Sequence, residues 1–76
     1  MQYLGVFMTT YVTFGQSHAH SIGGKTFDKD CVAVIPSETA KEGREKAFEI
    51  FGPKFCFEYF NRLPTMSYFP RGLIEI

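Results

Sequence analysis

The chain has no run of apolar residues approaching the roughly 18 that a membrane span needs, no excess of charge of either sign, and only two cysteines among its 76 residues. Each scarcity narrows the field. No transmembrane helix is expected. The apolar opening stretch Met1-Gln2-Tyr3-Leu4-Gly5-Val6-Phe7-Met8 is short, lacks a basic n-region and runs into Thr9-Thr10 without a small-residue cleavage site, so it reads as a strand rather than a signal peptide. Eight basic and eight acidic residues give a formal net charge of +0. They are scattered rather than blocked, which leaves no electrostatic footprint for nucleic acid or an anionic membrane. A cytoplasmic protein is expected, and in that reducing compartment metal binding or a free thiol outranks a disulfide. A phosphate-binding loop is missing as well: Gly23-Gly24-Lys25-Thr26 has no strand before it and no helix after it, and reads as a turn.

What is present is aromatic. Nine Phe and four Tyr make up 17% of the residues, and each ring buries on the order of 150–250 Å². That compensates in part for the small buried fraction of so short a domain. A staple such as a metal or a subunit contact fits a chain of this size.

The segments point to a single α+β domain over residues 1–76. Gln2 to Phe14 is rich in Tyr, Val, Phe and Thr and forms strand one, with Met8 a second candidate start. Gly15 to Asp30 reads as a long polar loop with a turn at Gly23-Gly24, and loops of that length in compact domains are uncommon unless functional or pinned. Cys31 to Ile35 is strand two, stopped by Pro36. Ser37 is the expected N-cap of a helix from Glu38 to Phe51, closed by Gly52 and Pro53. Gly43 lies on the apolar stripe of that helix, which predicts a close approach to the sheet. Lys54 to Phe60 alternates as strand three. Asn61 to Ser67 is a loop, and Tyr68-Phe69 with Leu73-Ile74 forms a last strand at an edge because Pro70 interrupts it. The expected architecture is β-β-α-β-β, a three- to four-stranded sheet with one helix on one face.

The candidate chemistry is a zinc site. His18, His20 and Cys31 supply imidazole and thiolate, the donors that a borderline-soft tetrahedral cation prefers. If strands two and three run parallel and turn Val32, Val34, Phe55, Phe57 and Tyr59 toward the helix, Cys31 and Cys56 share the opposite face. Cys56 then completes the set, with Asp30 the alternative fourth ligand and Asp28 a weaker one. Cys31 as the nucleophile of a Cys/His dyad is the competing use, but no orienting third residue is evident. No enzymatic activity is expected. Separately, Phe60, Tyr68 and Phe69 cannot all face one helix, and with Arg62 and Arg71 they form the aromatic and arginine mix of protein interfaces. Phe60, Tyr68, Phe69 and Arg71 are the candidate partner-binding residues. The alternative is that they close the second face of the core or a dimer contact.

The segments Val12-Thr13-Phe14-Gly15-Gln16-Ser17-His18, Ala47-Phe48-Glu49-Ile50-Phe51-Gly52-Pro53-Lys54-Phe55 and Met66-Ser67-Tyr68-Phe69-Pro70-Arg71-Gly72 together resemble small proteins encoded by bacteriophages and prophages. Some proteins of that kind are anti-CRISPR proteins, and the resemblance implies a zinc-stapled inhibitor that binds the protein surface of a type II CRISPR effector nuclease in the host bacterial cytoplasm, as a monomer or weak homodimer. The acidic surface of a DNA mimic is missing here. The alternatives are a zinc-stapled phage protein with a transcription or replication role, and a small cysteine-dependent enzyme.

Overall fold

The structure is a computed structural model and describes residues 8–76; the part of the strand expected from Gln2 to Phe14 that precedes Met8 lies outside that range. Four strands, β1 (Thr9–Thr13), β4 (Cys31–Pro36), β5 (Phe57–Phe60) and β6 (Gly72–Glu75), form one mixed sheet in the order β5-β1-β4-β6. One helix, α1 (Ala40–Phe51), packs on one face. The expected α+β class, with a single helix on a small sheet, holds.

Three details differ from the sequence expectation or go beyond it. The polar segment from Gly15 to Asp30 carries its own antiparallel hairpin, β2 (His20–Ile22) with β3 (Lys25–Phe27), turned at Gly23 and Gly24 with φ of 59° and 79°. β5 pairs with β1 and not with β4, so the helical crossover from β4 to β5 passes over β1. Within residues 61–71 a single turn of 3₁₀ helix, Met66–Tyr68, stands where the last strand was expected to begin, and β6 then runs parallel to β4 at the sheet edge.

The helix starts two residues later than Ser37 predicts. Thr39 is the N-cap, its hydroxyl accepting from the Glu42 N–H at 3.0 Å, while the Glu42 carboxylate accepts from the Glu38 N–H. This Thr-x-x-Glu pattern is a capping box shifted by one backbone group. Ser37 instead lies buried against the sheet and shares a 2.7 Å hydrogen bond with Thr10. At the other end Gly52 takes φ 65°, and its N–H closes on the Phe48 carbonyl at 2.8 Å.

Strand register fixes which side chains face the helix, because alternate residues point to opposite faces. Thr10, Val12, Ala33 and Ile35 share the helix side with Cys31, and Ala47 and Phe51 of α1 close over them. Tyr11, Thr13, Val32, Val34, Phe57, Tyr59 and Leu73 lie on the opposite face. The expected parity of β4 and β5 is therefore reversed: Cys31 faces the core under the helix, and Phe57 and Tyr59 face away from it. Glu58, on the helix side of β5, is met there by Arg44 at 3.7 Å.

Candidate functional site

The face of the sheet opposite the helix is covered only in part. The chain after β5 leaves through Asn61 at φ 55° and crosses beneath that face toward β6. Between the connection and the strands runs an open cleft of about 740 Å³, with Phe57, Tyr59, Arg62, Leu63, Tyr68 and Phe69 on its walls. Three of these are large apolar side chains left in solvent: Tyr68 is 74% exposed, Phe57 57% and Leu63 51%. The Arg62 guanidinium stands 5.8 Å from the centre of the Tyr59 ring, within the range of a cation–π contact. Phe57 and Tyr59 lie side by side with centroids 6.1 Å apart. Lys29 and Asp30 form part of the rim and pair with each other at 3.0 Å.

The connection is tied down at its far end. The Arg71 N–H donates to the Asp30 carbonyl at 2.8 Å, and its guanidinium pairs with Asp28 at 3.1 Å. Asp28 also accepts from the Asp30 N–H at 3.0 Å. That backbone bond, with the Arg71 guanidinium beside it, holds the Asp28 carboxyl below its ordinary range against an opposing effect of partial burial. Of the residues expected to bind a partner, Tyr68 and Phe69 line the cleft. Arg71 is engaged within the chain, and Phe60 sits on the helix side of β5, half-buried beside Thr10. Arg62, already part of the aromatic and arginine mix expected from the sequence, lies there too, and Phe57, Tyr59 and Leu63 join them from outside that set, although the alternation of Lys54 to Phe60 already puts Phe57 and Tyr59 on a shared face.

The zinc-ligand candidates occupy different environments. His20 is a half-buried aromatic neighbour at the margin of the core: its ring lies 5.6 Å from Phe14 and 5.0 Å from Phe51, and Phe14 and Phe27 stand 4.8 Å and 5.5 Å from Phe51. Nε2 of His20 lies 2.7 Å from the Lys54 carbonyl. A carbonyl only accepts, so this nitrogen carries a proton and is closed to a metal while the bond stands. Cys31 is fully buried, its sulfur accepting from the Asp28 N–H at 3.4 Å. Burial pushes its thiol pKa up, which keeps the sulfur protonated and weakens it as a nucleophile. Cys56 is exposed in the bend before β5, beside Gly15 at the cleft, and His18 lies in the connection between β1 and β2. Among the described residues no three His, Cys, Asp or Glu side chains converge as a metal-binding group. In this conformation His18, His20, Cys31 and Cys56, with Asp30 and Asp28, are not gathered into one ligand set, and no chemistry is derived through a zinc ion.

No family profile, curated protein or solved structure matches this chain. Among the described residues no helix is long and apolar enough to cross a membrane.

Proposed function

We propose that the chain is a small protein-interaction module that works in the host cytoplasm and grips a partner protein in the cleft formed by β5 and the 61–71 connection. The observation that carries this reading is the clustering there of Phe57, Tyr59, Leu63 and Tyr68 around Arg62. Aromatic and arginine side chains dominate binding hot spots because they bury large area at a low cost in side-chain entropy. A lone exposed apolar residue needs no explanation, whereas a contiguous exposed patch beside a concavity marks a binding surface. The resemblance of three short segments to small phage-encoded proteins makes a host defence nuclease, in particular a type II CRISPR effector, the first partner to assay, with inhibition as the outcome.

The test is capture of the effector, with and without guide RNA, by the wild-type chain and by the Phe57→Ala and Tyr68→Ala variants, both surface changes that leave the core intact. Loss of capture and of nuclease inhibition in the variants is the expected result. Capture that is indifferent to both variants removes the cleft as the working surface. No capture of any such effector removes the anti-CRISPR assignment.

A further inference from the structure

The two edges of the main sheet are finished differently, and the cleft lies against only one of them. β6 closes one edge. Its Ile76 N–H donates inward to the Val34 carbonyl, and the outward carbonyl of Glu75 is taken by the Lys25 ammonium at 2.8 Å. A lysine on an edge is a common way of blocking further pairing.

β5 is the other edge, and its backbone pattern can be read off the ladder. The Asn61 N–H donates to the Thr9 carbonyl. Hydrogen-bonded and non-bonded pairs alternate in an antiparallel ladder, so Phe57, Tyr59 and Asn61 bond inward to β1, opposite Thr13, Tyr11 and Thr9. The N–H and C=O groups of Glu58 and Phe60 then point outward, and among the described residues no other hydrogen bond reaches them. Phe57–Phe60 contains no proline, lysine or glycine that would blunt the edge, and its one charged side chain, Glu58, turns to the helix side and is paired there with Arg44 at 3.7 Å. The side chains alternating with those open groups, Phe57 and Tyr59, form the wall of the cleft.

Charge selects what could lie there. Lys29 and Asp30 on the rim neutralise each other, and among the described residues Arg62 forms no ion pair. The uncompensated charge of the cleft is therefore that guanidinium, 5.8 Å above Tyr59. A second copy of this chain would bring a like charge to the same edge. A carboxylate-bearing strand complements it.

We propose that the partner contributes an extended acidic segment that adds to β5 as a fifth strand, its backbone pairing with Glu58 and Phe60, its apolar side chains resting on Phe57 and Tyr59, and a carboxylate meeting Arg62. This rests on the interaction module described above and specifies how it binds. Strand addition takes affinity from main-chain bonds and specificity from alternate side chains, so a short edge beside an aromatic wall suffices to choose a sequence.

The experiment uses the full chain and an array of eight-residue peptides alternating apolar residues with Asp or Glu, with Lys-substituted peptides of the same pattern as controls. Backbone amide exchange is followed for the best binder. The expected result is binding of acidic peptides only, slowed exchange at the Glu58 and Phe60 amides, and at least tenfold weaker binding by Arg62→Glu with an unchanged melting temperature. Absence of binding by every acidic peptide overturns the proposal. So does binding without protection of those two amides, which leaves the cleft as a protein-binding surface but removes strand addition. Protection that appears in the free chain as its concentration rises identifies a second copy as the occupant and also overturns it. Displacement of the peptide by a single-stranded oligonucleotide of mixed sequence does the same. Failure of the cleft reading itself looks different, since there Phe57→Ala and Tyr68→Ala would leave partner capture intact.

Discussion

Gly43 of the helix and Thr10 of the central strand β1 meet with no room between them: a Cβ built on Gly43 would lie 2.7 Å from the Thr10 Cβ and 2.9 Å from the Ser37 hydroxyl, and closer still to the Thr10 hydroxyl. This contact sets the distance between helix and sheet. It also accounts for a helix interior that tolerates a residue costing about 1 kcal/mol in propensity relative to Ala.

Gly43→Ala is accordingly expected to destabilise the fold although it improves the helix. Overpacking costs about 1–3 kcal/mol, which exceeds the propensity gain. Thermal melts of Gly43→Ala, Thr10→Ala and the double variant check this. The double variant should be more stable than the sum of the singles predicts, because removing the Thr10 hydroxyl relieves the worst overlap. Strict additivity would mean that the two residues do not press on each other.

The start of the helix gives a second test. Thr39→Ala removes the N-cap bond and should cost about 1 kcal/mol. Ser37→Ala should also destabilise, but by leaving Thr10 without its buried partner, a cost of about 1–3 kcal/mol. The two separate in a double-variant cycle with Thr10→Ala: Ser37 is coupled to Thr10 and Thr39 is not. Coupling of Thr39 to Thr10 would contradict the capping geometry.

Gly43 and Thr39 were both legible in the sequence, to different degrees. A glycine on an apolar stripe gives up helix propensity and buries no side chain, so its presence there already points to a close approach. The cap is also written in the chain, since Thr39 has Glu42 three residues on while Ser37 has Ala40, but Ser37 offers a competing hydroxyl two residues earlier. The parity of β4 was not legible: Cys31 to Ile35 is apolar at every position, as befits a strand between two others, so alternation gives no phase. For β5 the period was right and the face wrong, because the apolar side serves the cleft while Glu58 finds Arg44 beside the helix. The β2–β3 hairpin, three residues a side, is too short to show a period among polar neighbours. The zinc expectation rested on placing Cys31 and Cys56 on one face; Cys31 is buried under the helix, whereas Cys56 lies in the bend before β5, exposed at the cleft on the other side of the sheet.

His20 offers a direct check of that zinc expectation. His20→Phe keeps the ring among Phe14 and Phe51 and loses only the bond to Lys54, so it should cost less stability than His20→Ala, and a chelator should leave the melting temperature of the wild-type chain unchanged. Elemental analysis of the purified protein accompanies the melts. Zinc near one equivalent, with chelator and His18→Ala/His20→Ala lowering the melting temperature alike, would instead establish the metal staple.

Asp28 predicts the acid limb of stability. Its folded pKa is lowered, first by the Asp30 N–H and then by Arg71, so the folded state binds fewer protons than the unfolded chain in the acid range. The contribution is complete above the ordinary carboxylate value near about 3.9 and is lost as pH falls through the lower folded value. Denaturant melts from pH 6 downward should show this loss, and Asp28→Asn should be less stable at neutral pH with a shallower fall below about pH 4. Parallel curves for the two proteins would remove Asp28 from the account.

The two cysteines supply the last prediction, which joins fold to function. Cys31 is fully buried under the helix with its thiol held protonated, whereas Cys56 is exposed at the rim of the cleft. A maleimide added to the folded chain should therefore modify one thiol quickly, mapped to Cys56 by peptide mass, and reach Cys31 only as the protein unfolds. Rapid modification of Cys31 would show a reactive thiol and reopen the cysteine-dependent enzyme. The label also tests the cleft without any mutation. A bulky group on Cys56 stands beside Phe57 and Tyr59, so the labelled protein should lose partner binding while its melting temperature stays close to that of the unlabelled chain. The small cap left by methyl methanethiosulfonate should interfere much less. If both adducts bind as the free thiol does, the partner does not enter the cleft at this end, and the contact must lie further along toward Leu63 and Tyr68.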